Sequence, residues 1–571
     1  LNLGSRFVPN LQQAINTTQP TLTAVEAVER AAKNLRLPVT APLVALNRIG
    51  GVAQAVELSN GGISLDSIPV QLVYQPLENG TVRLAWQMVL RLANHTDWLN
   101  LQIDAQTGET LDSVNWTINE ADAAHDDHGT AAASLAQLAA PAAELAPSLA
   151  LNPDSYRVFA EPVETPNHGA RTLESNPADA LASPFGWHDT NGAAGAEFTT
   201  TRGNNVTAYT DVDDNNLPDP NSAPDGGATL DFDFPLDLTQ QPTGYVPASV
   251  TNLFYWNNKF HDVMYNYGFN EASGNFQENN YGRGGSGNDV VRADASDGNR
   301  LNNANFSSPP DGQQGRMQMF LWDLTAPMRD GSLDNGIIVH EYGHGVSIRL
   351  TGGPSNSNCL SNDEQAGEGW SDFYGLIMTV KPGDTGTTRR GIGTYVLGQP
   401  VTGTGIRAFP YNTDLSIDPR TYNSIKGTAG PHPVGSVWAT MVWELYWNLV
   451  DTYGFDPDLI GGTGGNNTAV QLVTDGLKLQ PCSPSFTDGR DAILAADLAN
   501  NQGANTCLIW ESFAKRGLGF SANDGSNNSR NDGTQAFDLS PACTLAVTPD
   551  LINACAPAPV QYQILAADTV S

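Results

Sequence analysis

His340-Glu341-Tyr342-Gly343-His344 sets two imidazoles four residues apart with a carboxylate beside the first. On a helix, positions i and i+4 share a face. His340 and His344 can therefore hold one zinc ion through their ring nitrogens, with Glu341 close enough to take a proton from a water on that ion. The run before it supports a helix: Asp334-Asn335-Gly336 is a capping cluster and Ile337, Ile338 and Val339 follow. A catalytic zinc takes three protein ligands and keeps one position open. The extended pattern HExxHxxGxxH would need Gly at 347 and His at 350, where the chain has Ser347 and Leu350. The third ligand can instead come from a later helix. Gly367-Glu368-Gly369-Trp370-Ser371-Asp372 supplies Glu368 as that ligand, with Asp372 one turn on. Asp372 would accept a hydrogen bond from the second nitrogen of a ligating histidine, which fixes the tautomer and raises basicity. Glu364, one turn earlier, is a competing ligand. The bland alternative is a solvated acidic face on an ordinary helix.

Other elements must position these groups. Leu22, Val25, Val28, Ala32 and Leu35 lie on one helical face. Val82, Leu84, Trp86 and Met88 alternate as a strand, as do Leu99, Leu101 and Ile103, with a turn at 104–108. Residues 1–118 thus read as a small α+β domain, and 119–151 as an Ala-rich linker with a cleavable site. Residues 152–335 are turn-rich and strand-dominated, broken by a helix near 250–267. Residues 336–541 are helical, with helices at 435–453, 488–500 and 508–516. Residues 542–571 read as the start of a tail or further domain.

The 571 residues carry a net charge of −33. That excludes the basic footprint needed for nucleic acid or anionic membrane surfaces. No apolar stretch is long enough to span a membrane. The chain starts at Leu1 without a leader, which reads as a processed or truncated product. Five cysteines without a CxxC pair suit an exported protein. The expected pairing is Cys482–Cys507 across the helix 488–500, then Cys543–Cys555, leaving Cys359 free. Asp211, Asp213, Asn215 and Asp219 place oxygens at alternate positions, like the start of a calcium loop, although Asn216 and Pro218 stand in unusual places. His125 and His128 read as solvated, His188 and His261 as structural.

The motif His340–Gly345, the run Arg349-Leu350-Thr351-Gly352-Gly353-Pro354 and Gly367–Gly375 together resemble the fungalysin family of secreted zinc metalloproteases, relatives of thermolysin. Thr201–Val206, Gly268–Glu271, Gly274–Gln277 and Asn302–Phe306 resemble further motifs of that family. The resemblance covers roughly 155–539, and residues 1–118 are similar to the C-terminal part of the family's propeptide. One departure is Gly343, where the family usually has Thr; a second is a shortened loop before Glu368.

The resemblance implies an α+β, thermolysin-like, two-lobed fold: a β-rich N-terminal lobe and a helical C-terminal lobe after a small α+β prodomain. It implies that His432 donates to the oxyanion, that Arg407 binds a substrate carbonyl, and that Asn303 with Ala304 pairs with the substrate backbone as an added strand. It also implies an apolar side chain after the cut. The expected protein is a secreted, monomeric zinc endopeptidase acting on proteins and inhibited by its own propeptide. The rivals are a catalytically silent surface or adhesin module and an aminopeptidase. The latter would want an amine-binding acidic motif just before His340, and none is recognisable.

Overall fold

A computed structural model of the chain describes residues 8, 10–77, 80–93, 97–120 and 154–543. The expected linker is described only at 119–120, and His125, His128 and Cys555 lie outside the described residues.

After one helical turn, α1 (Leu11–Ala14), comes helix α2 (Ala24–Asn34). Thr23 caps α2 reciprocally: its hydroxyl accepts from the Glu26 amide, and the Glu26 carboxylate accepts from the Thr23 amide at 2.8 Å. The apolar stripe of α2 packs on an antiparallel sheet whose strands lie in chain order. These are β1 (Ala45–Gly50), β2 (Ala55–Leu58), β3 (Ile68–Pro76), β4 (Val82–Arg91), β5 (Trp98–Asp104) and β6 (Thr110–Asn115). Asp104 closes the β5–β6 turn by accepting from the amides of Gln106 and Thr107. This core runs from Ala27 to Ala105 and forms a cluster of its own.

The chain then leaves that sheet. β7 (Thr117–Asn119) joins a second sheet instead. A small sheet holds β8 (Ser155–Val158), β9 (Thr172–Ser175) and, after β10 (Val206–Thr210), β11 (Asp231–Phe232). The second sheet is ordered β10, β12 (Val291–Leu301), β14 (Arg316–Trp322), β13 (Ala304–Ser307), β7, with β15 (Arg329–Asp330) also on β14. β10, β12 and β14 are parallel neighbours, while β13 is antiparallel to both β14 and β7.

Helices α3 (Val246–Asn266), α4 (Asn335–Leu350), α5 (Gly367–Ile377), α6 (Pro431–Tyr453), α7 (Gly465–Leu479), α8 (Phe486–Asn501) and α9 (Thr506–Lys515) pack into one apolar core. It extends from Tyr156 to Leu518 and takes in the second sheet, giving a mixed α+β molecule. α6 starts a turn earlier than the expected 435–453, because Pro431 suits the first helical position. His432 therefore lies inside the helix rather than before it. Among the described residues no helix is long and apolar enough to cross a membrane.

The expected cysteine pairing is corrected. The disulfides are Cys359–Cys482 and Cys507–Cys543. The length of α8 was a poor guide, because the partners are brought together by segments distant in the chain. The turn after α7 returns beside the loop after α4, where the Ser483 amide donates to the Cys359 carbonyl at 2.7 Å. Cys543 meets Cys507 on the first turn of α9 after the segment beyond α9 folds back.

Candidate metal centre

All sixteen residues of α4 are buried. Its position depends on close helix contacts. A Cβ at Gly343 would stand 2.9 Å from the Ser371 Cα on α5, so the glycine at this place lets the two backbones approach. At the next crossing, a Cβ at Gly435 on α6 would lie 2.3 Å from the Glu368 Cβ. The first approach seats α5 on α4, and the second seats the first turn of α6 on the first turn of α5, beside Glu368. On its other side α4 lies on β13, where Tyr342, Phe276 and Phe306 form a cluster of rings.

His340, His344 and Glu368 converge. Glu368 approaches His340 Nε2 at 3.3 Å and His344 Nε2 at 3.8 Å. The Nε2 atoms of both histidines and Oε1 of Glu368 are buried without a hydrogen-bond partner. Such orphaned atoms are costly unless something else occupies their lone pairs. Two imidazoles and a carboxylate fit a divalent metal of the zinc type. Burial pushes the His344 ring down to about 4, so it stays neutral and keeps its lone pair. Glu341 is fully buried with both oxygens unpartnered, and burial raises its carboxyl well above the usual range.

Asp372 Oδ1 lies 2.8 Å from His340 Nδ1. Arg407 donates to both oxygens of Asp372, at 2.8 and 2.9 Å, and the Tyr411 hydroxyl donates to Oδ2. Burial alone would raise the Asp372 carboxyl; Arg407 and His340 outweigh it and hold it well below the usual range. Tyr411 is a positioning residue that no spacing in the sequence singles out. Glu364 stands apart from this cluster: it accepts from the Tyr422 hydroxyl at 2.8 Å, and burial pushes it up to about 8. His432 lies with Nε2 3.5 Å from Glu368.

The chain's own N-terminal region occupies this face. β7 adds to the free side of β13 in the register Asn305–Asn119, Phe306–Ile118 and Ser307–Thr117. The Glu120 amide donates to the Ala304 carbonyl at 3.0 Å. His432 Nε2 donates to the Asn119 carbonyl at 2.9 Å. The Glu120 carboxylate then reaches inward, 2.6 Å from His340 Nε2 and 2.7 Å from the Arg407 guanidinium. Ala304 thus pairs with an added strand, whereas the Asn303 side chain accepts from the next amide of its own strand. Glu120 was not singled out from the sequence, because nothing in its neighbours sets it apart from other acids near the linker.

A second buried group lies at the loop first read as calcium-binding. Asp211 is grouped there with Asp294 and Asp297, not with Asp213, Asn215 and Asp219. Arg316 donates to all three aspartates. The loop's other oxygens are engaged within it: Asp219 accepts from Thr210 and the Val212 amide, Asn215 from the Leu217 amide, and Asp213 from the Asn215 side chain.

Comparison with known proteins agrees with this chemistry. The family model described as Fungalysin metallopeptidase (M36) matches residues 155–522. The extracellular metalloproteinase MEP of Neosartorya fischeri is 39% identical over 513 residues, covering 88% of this chain and 74% of that protein. The extracellular metalloproteinase mep of Aspergillus fumigatus is 38% identical over the same shares. That of Leptosphaeria maculans is 38% identical over 534 residues, covering 91% of this chain and 76% of its own length.

Proposed function

This chain belongs to the fungalysin family of metallopeptidases, and from that premise we propose that it is an extracellular zinc endopeptidase held latent by its own N-terminal region. The observation that carries the reading is the convergence of His340 Nε2, His344 Nε2 and Glu368 Oε1 with no hydrogen-bond partner. Zinc bound there supplies Lewis-acid polarisation of the substrate carbonyl and makes water acidic enough to yield a nucleophile near neutral pH.

The remaining work falls to the chain. Glu341 takes the proton of the attacking water and passes it to the leaving nitrogen. His432 donates to the carbonyl oxygen as negative charge develops on it. The Ala304 carbonyl accepts from a substrate amide, and β13 receives the substrate as an extra strand. Arg407 keeps Asp372 on His340 and has a further donor facing the cleft. A hollow of about 330 Å³ beside Arg407 and His432 is walled by Ile406, Ala408, Phe409 and Val437, with Arg420, Ser424, Thr428 and Ser436 also on its lining, which suits a largely apolar side chain next to the cut. In this reading residues 1–118 are the C-terminal part of a propeptide, followed by a two-lobed thermolysin-like catalytic part. β7 supports latency because it takes the strand position a substrate needs. This reading does not call on calcium: at the Asp211 loop Arg316 donates to Asp211, Asp294 and Asp297.

The test is metal content with casein hydrolysis, before and after a cut within 120–151 and removal of the N-terminal region. The cut chain should carry one zinc, lose activity to a chelator and regain it with zinc. Activity should rise on cutting. A cut chain that binds zinc but hydrolyses nothing would favour the silent module, and equal activity before and after cutting would contradict latency.

A further inference from the structure

We infer that the Glu120 side chain is a fourth protein ligand of the metal in the intact chain, converting an open catalytic centre into a closed one. The inference rests on the zinc reading above and concerns how that same site is regulated. Glu120, His340, His344 and Glu368 each offer one ligand atom, and these atoms all lie within 4.8 Å of one another. All four residues are buried. Zinc sites with four protein ligands are structural, while catalytic ones reserve a position for water or substrate. With Glu120 in place, the intact chain has the donor set of the first kind on the frame of the second.

Charge balance points the same way. Glu120, Glu368 and Asp372 crowd one buried volume, with Glu341 beside them, and Arg407 is the guanidinium that touches the first three. Buried carboxylates in such excess are stable only when paired or bound to a metal. Oε1 of Glu368 makes no hydrogen bond, and the two oxygens of Glu120 have only the close contacts with His340 Nε2 and Arg407. A dication at the shared position offsets this excess.

The backbone explains why one carboxylate can compete with solvent for the position. The β7–β13 ladder, the Glu120 amide on Ala304 and the Asn119 carbonyl on His432 hold the residue on three sides. The carboxylate is thus delivered at a high effective concentration. Once the chain is cut beyond Glu120 and the segment leaves, the ligand leaves with it, and the coordination position opens. The same departure frees the Ala304 carbonyl and His432 for substrate.

The experiment uses the intact chain in a Glu341→Gln background, so that it cannot cut itself, loaded with zinc or with cobalt(II). Glu120→Gln and Glu120→Ala are compared with the unaltered residue and with the cut chain freed of its N-terminal region. The expected result is that the intact chain surrenders zinc to a chelator more slowly than either variant, by about tenfold to a hundredfold, the usual worth of a metal-site partner. The visible spectrum of cobalt in both variants should shift towards that of the cut chain. Identical release rates and cobalt spectra with and without Glu120 would overturn the inference and leave the metalloprotease reading standing; Glu120 would then only pair with Arg407. A cut chain that takes up no metal would sink the zinc reading itself, and this inference with it.

Discussion

Two buried acidic groups in this molecule look alike on paper. One is Glu120 and Glu368 with His340 and His344; the other is Asp211, Asp294 and Asp297. They differ in what answers their charge. In the aspartate group, Arg316 reaches all three carboxylates and Gln318 adds a further donor at 2.8 Å. The cation is built into the chain. Asp211 also accepts from the Asn215 and Asn216 amides, so the aspartate group is hydrogen-bonded from within, although one arginine does not balance three carboxylates. In the histidine group, Arg407 is shared with Asp372, His344 Nε2 has no hydrogen-bond partner, and His340 Nε2 faces the Glu120 carboxylate at 2.6 Å. A cluster in which two imidazoles and two carboxylates turn their ligand atoms to one point has the donor set of a metal site.

Four substitutions would break or sharpen that contrast. Glu341→Gln should leave zinc stoichiometry at one and lower peptide hydrolysis by about 10²–10⁴-fold in the cut chain, the range for loss of a general base. A zinc-loaded, fully active variant would remove Glu341 from the chemistry. Arg316→Met should act on stability instead, since it strands three aspartates without a cation. Removing one side of a buried charge cluster costs about 3–5 kcal/mol, read as a lower denaturation midpoint with kcat/KM unchanged. If activity fell and stability did not, the two clusters would not divide as described.

His432→Ala should keep zinc and fold while lowering kcat by about 10²–10³-fold, the worth of one oxyanion donor. Loss of zinc would make His432 a ligand. Tyr411→Phe should have the smallest effect: it removes one donor from Asp372 while Arg407 and His340 remain. The expected change is about tenfold weaker zinc binding, measured by competition with a chelator, with KM unchanged. No change in zinc affinity would show that Arg407 alone holds Asp372.

Much of the centre was legible beforehand because it is local. Two histidines at i and i+4, or Glu368 and Asp372 at the same interval, share a face on any helix, whatever surrounds it. Chain periodicity likewise located α2, α3 and α6 to within a turn. Errors arose where a partner had to be chosen across the fold. Cys507 has Cys482 nearer in sequence than Cys543, yet packing of the segment after α9 selects Cys543. The alternating acids at 211–219 were open to either a calcium loop or a plain acidic turn by spacing alone, and the partner that Asp211 meets, Arg316, lies on a strand about a hundred residues away.

The amino-acid sequence by itself therefore determined the chemical kind of this protein. Residue type and short spacing suffice to assemble His340, His344 and Glu341 on one helix, and to offer Glu368 and Asp372 on another, because helical geometry is set by the backbone. Only tertiary structure decided what those groups face. It brought α5 against α4 at Gly343 and α6 against α5 at Gly435. It turned Arg407 and Tyr411 onto Asp372, and laid β7 along β13 so that Glu120 entered the centre. Such contacts join residues tens to hundreds of positions apart. They arise from burying apolar faces and satisfying backbone hydrogen bonds over the whole fold, and no local pattern encodes them.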